Sequence, residues 1–330
     1  MTSLVTGATG FVGAAVVRRL LERGETIRVF VRKNSDRRNI DGLSVEIAEG
    51  DLQAPETLQP ALAGCRSLYH VAADYRLWTL DPDAMYAANV DGTRDLIRAA
   101  TAAGVGRIVY TSSVAVLGRA ADDGPADEET PVAIEDMIGH YKRSKYLAEE
   151  AVRALIAEES APVVIVNPST PIGPRDIKPT PTGRMIVEAA AGRMPAYVDT
   201  GLNIVHVDDV AEGHLLAHDR GRIGERYVLG GTDMTLADIL AAIAGIVERP
   251  APRIQLPQNL ILPVAVMAEA WARLFRTGEP FVTIDGIRMA KKRMFFSAAK
   301  AQAELGYEYR PAPDALRDAV AWFSDNGYLD

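Results

Sequence analysis

Ser3-Leu-Val-Thr-Gly-Ala-Thr-Gly-Phe-Val-Gly13 is the stretch on which the fold turns. Ser3, Leu4 and Val5 read as a short buried strand. Glycines follow at positions 7, 10 and 13, and an alanine- and leucine-rich helix is predicted over 14–23, closed by Gly24. Strand, glycine turn and helix in immediate succession are the context that a dinucleotide-binding fingerprint requires. Gly7 permits the tight turn, Gly10 lets the backbone approach a pyrophosphate, and Gly13 lets helix pack on strand. The helix N-terminus then offers amide hydrogens and a positive dipole end to phosphate. The spacing is G-x-x-G-x-x-G, and no Gly-Lys-Ser/Thr follows, which argues against a nucleoside-triphosphate P-loop.

Outward from this turn, strand and helix patterns alternate. Strands are predicted over 26–32, 45–49, 67–72, 107–112 and 163–167, and helices over 55–63, 84–103 and 141–158. Near-continuous Val/Ile strands alternating with helices predict an α/β fold, a Rossmann-type doubly wound parallel sheet covered on both faces. Ligands in such sheets bind beyond the carboxyl ends of the strands. After Pro168 the pattern changes to a rigid loop, Pro168-Ser-Thr-Pro-Ile-Gly-Pro174, of the kind that carries function in a compact fold. A strand over 203–207 and a helix near 209–216 are expected to return to the nucleotide domain. Helices over 236–247 and 263–274 are expected in a smaller C-terminal substrate-binding cap, and a helix over 314–323 closes the chain. The expected division is therefore 1–168, with returns near 203–230, for the dinucleotide, and 169–202 with 231–330 mainly for substrate.

Composition narrows the function classes. The 330 residues are 48% apolar and 24% charged, an ordinary globular balance. A net charge of −8 and a pI near 5.3 give no electrostatic footprint for nucleic acid. The single cysteine, Cys65, excludes an intrachain disulfide and fits a reducing, cytoplasmic compartment. The first strand starts almost at the initiator without a basic leader, so no signal peptide is predicted. The longest uncharged run, 254–268, contains Pro257 and Pro263 and is too short to span a bilayer. Beside Trp271, Leu274 and Phe275 it could form a lid or a membrane-facing helix, and buried packing is the expected role. His214 and His218 have metal-ligand spacing, but no acidic or cysteine partner completes a site; a plain helix face is expected, and no metal. His206 is expected to be a packed histidine.

Chemistry enters with Tyr141 and Lys145, four residues apart on a predicted helix. A free tyrosine titrates near ~10, and an ammonium one helical turn away is expected to favour the phenolate. A tyrosine so tuned exchanges a proton with an alcohol or ketone. Ser113 ends a strand, where its hydroxyl could hold a substrate oxygen beside Tyr141.

The chain as a whole resembles the extended short-chain dehydrogenase/reductases. Thr6-Gly-Ala-Thr-Gly-Phe-Val-Gly13, Gly50-Asp-Leu52, His70-Val-Ala-Ala73, Asn89-Val-Asp-Gly-Thr93, Thr111-Ser-Ser113, Tyr141-x-x-Ser-Lys145 and His206-Val-Asp-Asp-Val210 carry the match. Within that group it is similar to the dihydroflavonol-4-reductase-like branch and, more narrowly, to proteins called hopanoid-associated sugar epimerases. The stretches 73–78, 168–183 and 195–201 carry that narrower similarity. The resemblance implies catalytic Ser113, Tyr141 and Lys145, with Asn89 in a backbone-and-water proton relay. It implies cofactor contacts from Gly7, Thr9, Gly10, Phe11, Val12 and Gly13, from Asp51 and Leu52 at the adenine, and from Val71, Ala72 and Ala73 in the channel. Thr111, Tyr141, Lys145, Pro168 and Thr170 belong to that set as well. It further implies a two-fold dimer through a four-helix bundle.

Charge bears on the choice of cofactor and substrate. NAD-selective sites place an acid at the end of the second strand; here that strand reads Val29-Phe-Val-Arg32, followed by Lys33, Arg37 and Arg38. Arginine suits bidentate phosphate recognition, so Arg32 and Arg37 predict NADP over NAD. Sugar-nucleotide epimerases carry an arginine before the Val-His-Val strand, where it grips the diphosphate; this chain has Leu202 or Asn203 there. A buried diphosphate without a cationic partner is costly, and Arg175, Lys178 and Arg184 are the candidate replacements. Asp74, Tyr75, Arg76, Trp78, His140 and Ser169 are further candidate substrate contacts. Two readings stand: an NADPH-consuming carbonyl reductase acting in hopanoid-associated or sugar metabolism, and an epimerase/dehydratase whose cofactor stays bound.

Overall fold

The computed structural model describes residues 2–120, 124–275, 280 and 282–330. Its strands are β1 (Thr2–Thr6), β2 (Thr26–Val31), β3 (Glu46–Glu49), β4 (Cys65–His70), β5 (Arg107–Thr111), β6 (Val163–Pro168), β7 (Thr170–Ile172), β8 (Ala196–Tyr197), β9 (Gly201–His206), β10 (Arg226–Leu229), β11 (Thr232–Thr235) and β12 (Ile254–Gln255). Seven form one parallel sheet in the order β10-β6-β5-β4-β1-β2-β3. The order reverses between β1 and β4, the position where doubly wound sheets open a ligand crevice.

Both faces of this sheet are apolar because alternate residues of each strand point to opposite sides. Val5, Val29, Tyr69, Val109 and Val164 share one core with α1 (Phe11–Glu22) on one face, while Leu4, Phe30, Leu68, Ile108 and Ile165 share another with α2 (Leu58–Leu62) on the other. The continuous Val/Ile runs are thus the direct cause of the three-layer arrangement. The predicted helix over 84–103 is divided: α3 (Pro82–Tyr86), a π-helical turn over Ala87–Asp91, then α4 (Gly92–Ala102). α4 and α5 (Gly139–Glu159) share the second face with α2.

The smaller region is built from α6 (Pro181–Ala190), α8 (Leu236–Ile246), α9 (Gln258–Phe275), α10 (Ile284–Ala290) and α12 (Ala312–Asp325), whereas α7 (Val207–Arg220) packs on α1, and α11 (Ala299–Leu305) on α7 and β10. Ile186, Ile239, Ile243, Leu316 and Phe323 make its separate core. The strand expected over 203–207 does not rejoin the large sheet. β10 already occupies the edge beside β6, and β9 pairs instead with β7 and β11. The helix that follows it does return. The expectation of buried packing at 254–275 also fails, since Trp271, Leu274 and Phe275 lie exposed on α9. Pro263 lies inside that helix rather than at its start.

Candidate functional site

The glycine turn is held by contacts that only glycine allows. Gly7 has φ +70°, and a Cβ there would lie 2.7 Å from the Ala72 nitrogen. A Cβ on Gly13 would lie 2.2 Å from the Gly7 carbonyl oxygen, so α1 rests directly on the turn. Gly10 begins α1 with no side-chain cap, leaving its first amides free for an anion. From below, Thr6 Oγ1 accepts from the backbone N–H of Val71 and Ala72 at 3.2 Å each and bonds His70 Nδ1 at 2.8 Å. His70 Nε2 reaches Thr93 Oγ1 at 2.9 Å. Burial, with the Lys145 charge adding to it, pushes the His70 imidazole down to about 3, so it is a neutral buried strut. Asn39, which no motif singles out, donates through Nδ2 to the carbonyls of Thr9 (3.3 Å) and Arg175 (3.2 Å).

At the carboxyl end of β5, Ser113 Oγ accepts a bond from Ala115 N–H at 3.1 Å, and its hydroxyl acts on the Tyr141 phenol. Burial pushes that phenol up, with the Ser113 bond opposing it. The expected lysine effect on the tyrosine does not govern here, because the Lys145 ammonium is engaged elsewhere. Its Nζ donates to the Thr111 carbonyl at 2.8 Å and the Tyr110 hydroxyl at 3.1 Å, and it lies 4.8 Å from the Tyr110 ring centroid. Burial pushes Lys145 itself down to about 8, against the raising effect of Glu149. Asn89 sits in the π-helical turn, where Nδ2 donates to the Asp74 carbonyl and to Ser144 Oγ (2.9 Å each) and Oδ1 accepts from Asp74 N–H (2.7 Å). Its side chain therefore ties the loop after β4 to the second turn of α5.

The other predicted residues divide by location. Arg37 is paired with Glu49 at 2.5 Å and Arg38 with Asp36, whereas Arg32 is exposed and makes no ion pair among the described residues. The Arg32 charge still reaches across to Asp74, holding its carboxyl down after Arg76. Asp51 anchors the next turn through Gln53 N–H at 3.0 Å, and Leu52 packs within 2.9 Å of where a Gly92 Cβ would stand. On the side of Tyr141, burial and the charges of Asp176 and Asp74 push Tyr75 up, and Arg184 opposes them. Asp74 and Arg76 form an ion pair, and His140 stands edge-on to Tyr86 with Tyr86 OH 3.4 Å from its Nδ1. Trp78 Nε1 and Ser169 Oγ are buried without a protein partner, as is Ser112 Oγ.

Two candidate substrate residues lie elsewhere. Arg175 has φ 75° and pairs with Asp208 at 2.5 Å, while its carbonyl meets Asn39 beside the glycine turn. Lys178 is exposed, and its charge acts on Asp36. Asn203 cannot grip a ligand, since its amide is consumed by Gly231, Asp233 and Phe296. Leu202 packs against the region's own core. Neither histidine of α7 lies on a plain exposed face: His214 is buried and bonded to Thr111 Oγ1 at 2.8 Å, and His218 to Ser67 Oγ at 2.8 Å. His206 is buried, as expected. Among the described residues no cluster of metal-ligating side chains occurs.

Sequence reading also missed Asp176, a buried carboxyl that burial pushes up to about 6 while Thr180 donates to it twice at 2.8 Å. It missed a group of cations as well. Burial pushes Lys142 down to about 8, and the charges of Lys292 and Arg119 act in the same direction.

The model of the family described as the NAD dependent epimerase/dehydratase family matches residues 3–230. The chain belongs to that family. Among its relatives, a putative dihydroflavonol 4-reductase of Synechocystis sp. is 47% identical, over 98% of this chain and 95% of that protein. Sterol demethylase protein B of Methylococcus capsulatus is 37% identical over the full length of both. The crystal structure of gox2253 superimposes with a TM-score of 0.90 at 57% identity, covering 100% of this chain and 99% of that one. The family member described here is an NAD(P)-dependent oxidoreductase of the extended short-chain dehydrogenase/reductase type, in the dihydroflavonol-4-reductase-like branch, acting on alcohol and carbonyl groups. Its residues fit the dinucleotide: a glycine cradle that Cβ atoms would fill, uncapped α1 amides, and the unpartnered Ser112 hydroxyl. No helix among the described residues is long and apolar enough to cross a membrane.

Proposed function

We propose that this protein is an NADPH-linked carbonyl reductase in which Tyr141, Ser113 and Lys145 carry the proton chemistry. The observation that favours this reading is Arg32, an exposed arginine without an ion pair among the described residues, where an NAD-selective site would carry an acid. Gly7, Gly10 and Gly13 with the first amides of α1 would hold the pyrophosphate, and Arg32 the 2′-phosphate. Bound there, the dihydronicotinamide supplies the hydride. The Ser113 hydroxyl orients the substrate oxygen, and the Tyr141 phenol, kept protonated by burial, delivers its proton to that oxygen. Lys145 holds its charge one helical turn away, fixed on the Thr111 carbonyl. Asn89 positions both the Asp74 loop and α5.

On the substrate side, Tyr75, Trp78, His140, Ser169 and Arg184 are the proposed contacts, and Arg175 and Lys178 belong with the cofactor end. The absence of a cation at Leu202 and Asn203 disfavours a nucleotide diphosphate, and the reductase and sterol names of two relatives favour a lipophilic carbonyl of hopanoid-associated metabolism. The family description keeps the second reading, an epimerase with a retained cofactor. Counting cofactor turnover separates them: a reductase oxidises NADPH in proportion to product, whereas an epimerase converts substrate with none consumed. A cytoplasmic location and a dimer through α4 and α5, on which Leu147 is partly exposed, complete the proposal.

A further inference from the structure

The α9 helix buries the wrong side for a protein surrounded by water. It carries two charged residues, Glu269 and Arg273, in eighteen. Among its described side chains the fully buried ones are Ala265, Glu269 and Ala272, with Ile261 and Leu262 half-buried near its start, and Glu269 Oε1 accepts the Ile284 N–H at 2.7 Å. Facing out are Val264 (51% exposed), Met267 (65%), Trp271 (62%), Leu274 (76%) and Phe275 (53%). A helix on a soluble surface does the opposite, burying its large apolar residues and presenting its charges. Ile254 and Leu256 prolong the exposed apolar surface ahead of the helix. Contiguous surfaces of this kind mark interaction sites.

Charge identifies the occupant. Residues 253–293 contain seven lysines and arginines against three acids, in a chain whose net charge is −8. Arg253 and Lys291 are exposed; Lys291 Nζ bonds Asn259 Oδ1 at 3.1 Å at the start of α9, and α10 with Arg288 packs against it. We infer that α9 lies in the headgroup layer of a bilayer bearing anionic lipid, its apolar face inserted and the exposed Arg253 and Lys291 on the lipid phosphates. Interfacial helices combine these two features, an apolar face with a tryptophan and a basic margin. A second copy of the chain fits less well, because two surfaces with the same positive surplus would repel. The inference goes beyond the proposed reaction and does not depend on it.

The test is co-sedimentation of the full-length protein with vesicles of phosphatidylcholine alone and of phosphatidylcholine with phosphatidylglycerol. Binding is expected to the anionic vesicles, roughly tenfold or more above the neutral ones, and to weaken with salt. The paired variant Trp271→Gln with Leu274→Gln should abolish it without changing the melting temperature or dinucleotide binding, since both side chains are exposed. Equal partition to both vesicles, no binding to either, or binding unaltered in the variant overturns the inference. So does a protein-concentration-dependent dimer in sedimentation velocity that the same variant dissolves.

Discussion

The Lys145 ammonium lies 3.1 Å from the hydroxyl of Tyr110, a residue of β5, rather than on the phenol four positions before it in the same helix. Tyr110 is buried and its phenol is pushed well up, so it accepts from Lys145 as a neutral group. A hydrogen bond to the charged form favours that form. With Lys145 pushed down to about 8, the charged lysine is lost as pH rises through that value. An alkaline limb near pH 8 is therefore expected in kcat/KM for the free enzyme. Tyr110→Phe removes a bond to the ammonium and should move that limb to lower pH. A limb that stays in place in the variant would assign it to another group.

Tyr141→Phe keeps the ring and removes the proton. Turnover should fall by about 10²–10⁴-fold, the usual worth of a positioned acid, while NADPH affinity by fluorescence titration changes little. Full retention of turnover would remove Tyr141 from the proton step.

Arg32 is the proposed phosphate reader. Charge-assisted bonds contribute about 1.5–3 kcal/mol, so Arg32→Asp should weaken NADPH binding roughly 10- to 100-fold and leave NADH equal or improved. An unchanged ratio of the two dissociation constants would move the discrimination to Lys33 or Arg38.

Gly13→Ala places a methyl group 2.2 Å from the Gly7 carbonyl, which is backbone and has nowhere to go. A loss of about 1–3 kcal/mol is expected from overpacking, together with loss of dinucleotide binding, because α1 must move off the turn. Urea unfolding and cofactor titration on the same sample test both parts.

His70 and His214 are buried neutral, pushed down to about 3 and about 4, in each case chiefly by burial. Their folded values lie below the unfolded one near 6.5, so the unfolded state takes up protons first as pH falls. Stability is thus full above pH 6.5 and declines below it, by about 2 kcal/mol per histidine at pH 5. Urea midpoints at pH 7.5 and 5 should show this, and His214→Gln should flatten the difference. Equal slopes with pH in the two proteins would contradict it.

Local chemistry made much of this protein legible. The glycine spacing, the Val/Ile strands and the Tyr141–Lys145 pair each depend on residues close in sequence, and they led to the parallel sheet and to the grouping of Ser113 with Tyr141. The parts that were not legible depend on partners far along the chain. Thr111 meets His214 across 103 positions, Asn39 meets Arg175 across 136, and Lys145 finds Tyr110 35 residues earlier. Such pairings leave no periodic trace, so a histidine at helical spacing reads the same whether it faces solvent or the underside of a sheet. The same limit applies to α9, whose apolar run looks like core until the surrounding elements are in place.

That a strand, a glycine turn and a helix cradle a dinucleotide follows from residues 3–24 alone, because those glycines are dictated by backbone geometry. Packing between distant segments is what holds Lys145 on β5, seats Arg175 between Asn39 and Asp208, and turns the large apolar side chains of α9 outward. Each of these is settled by which surfaces remain after the sheet and its helices have packed, a competition for burial that no short stretch of sequence records.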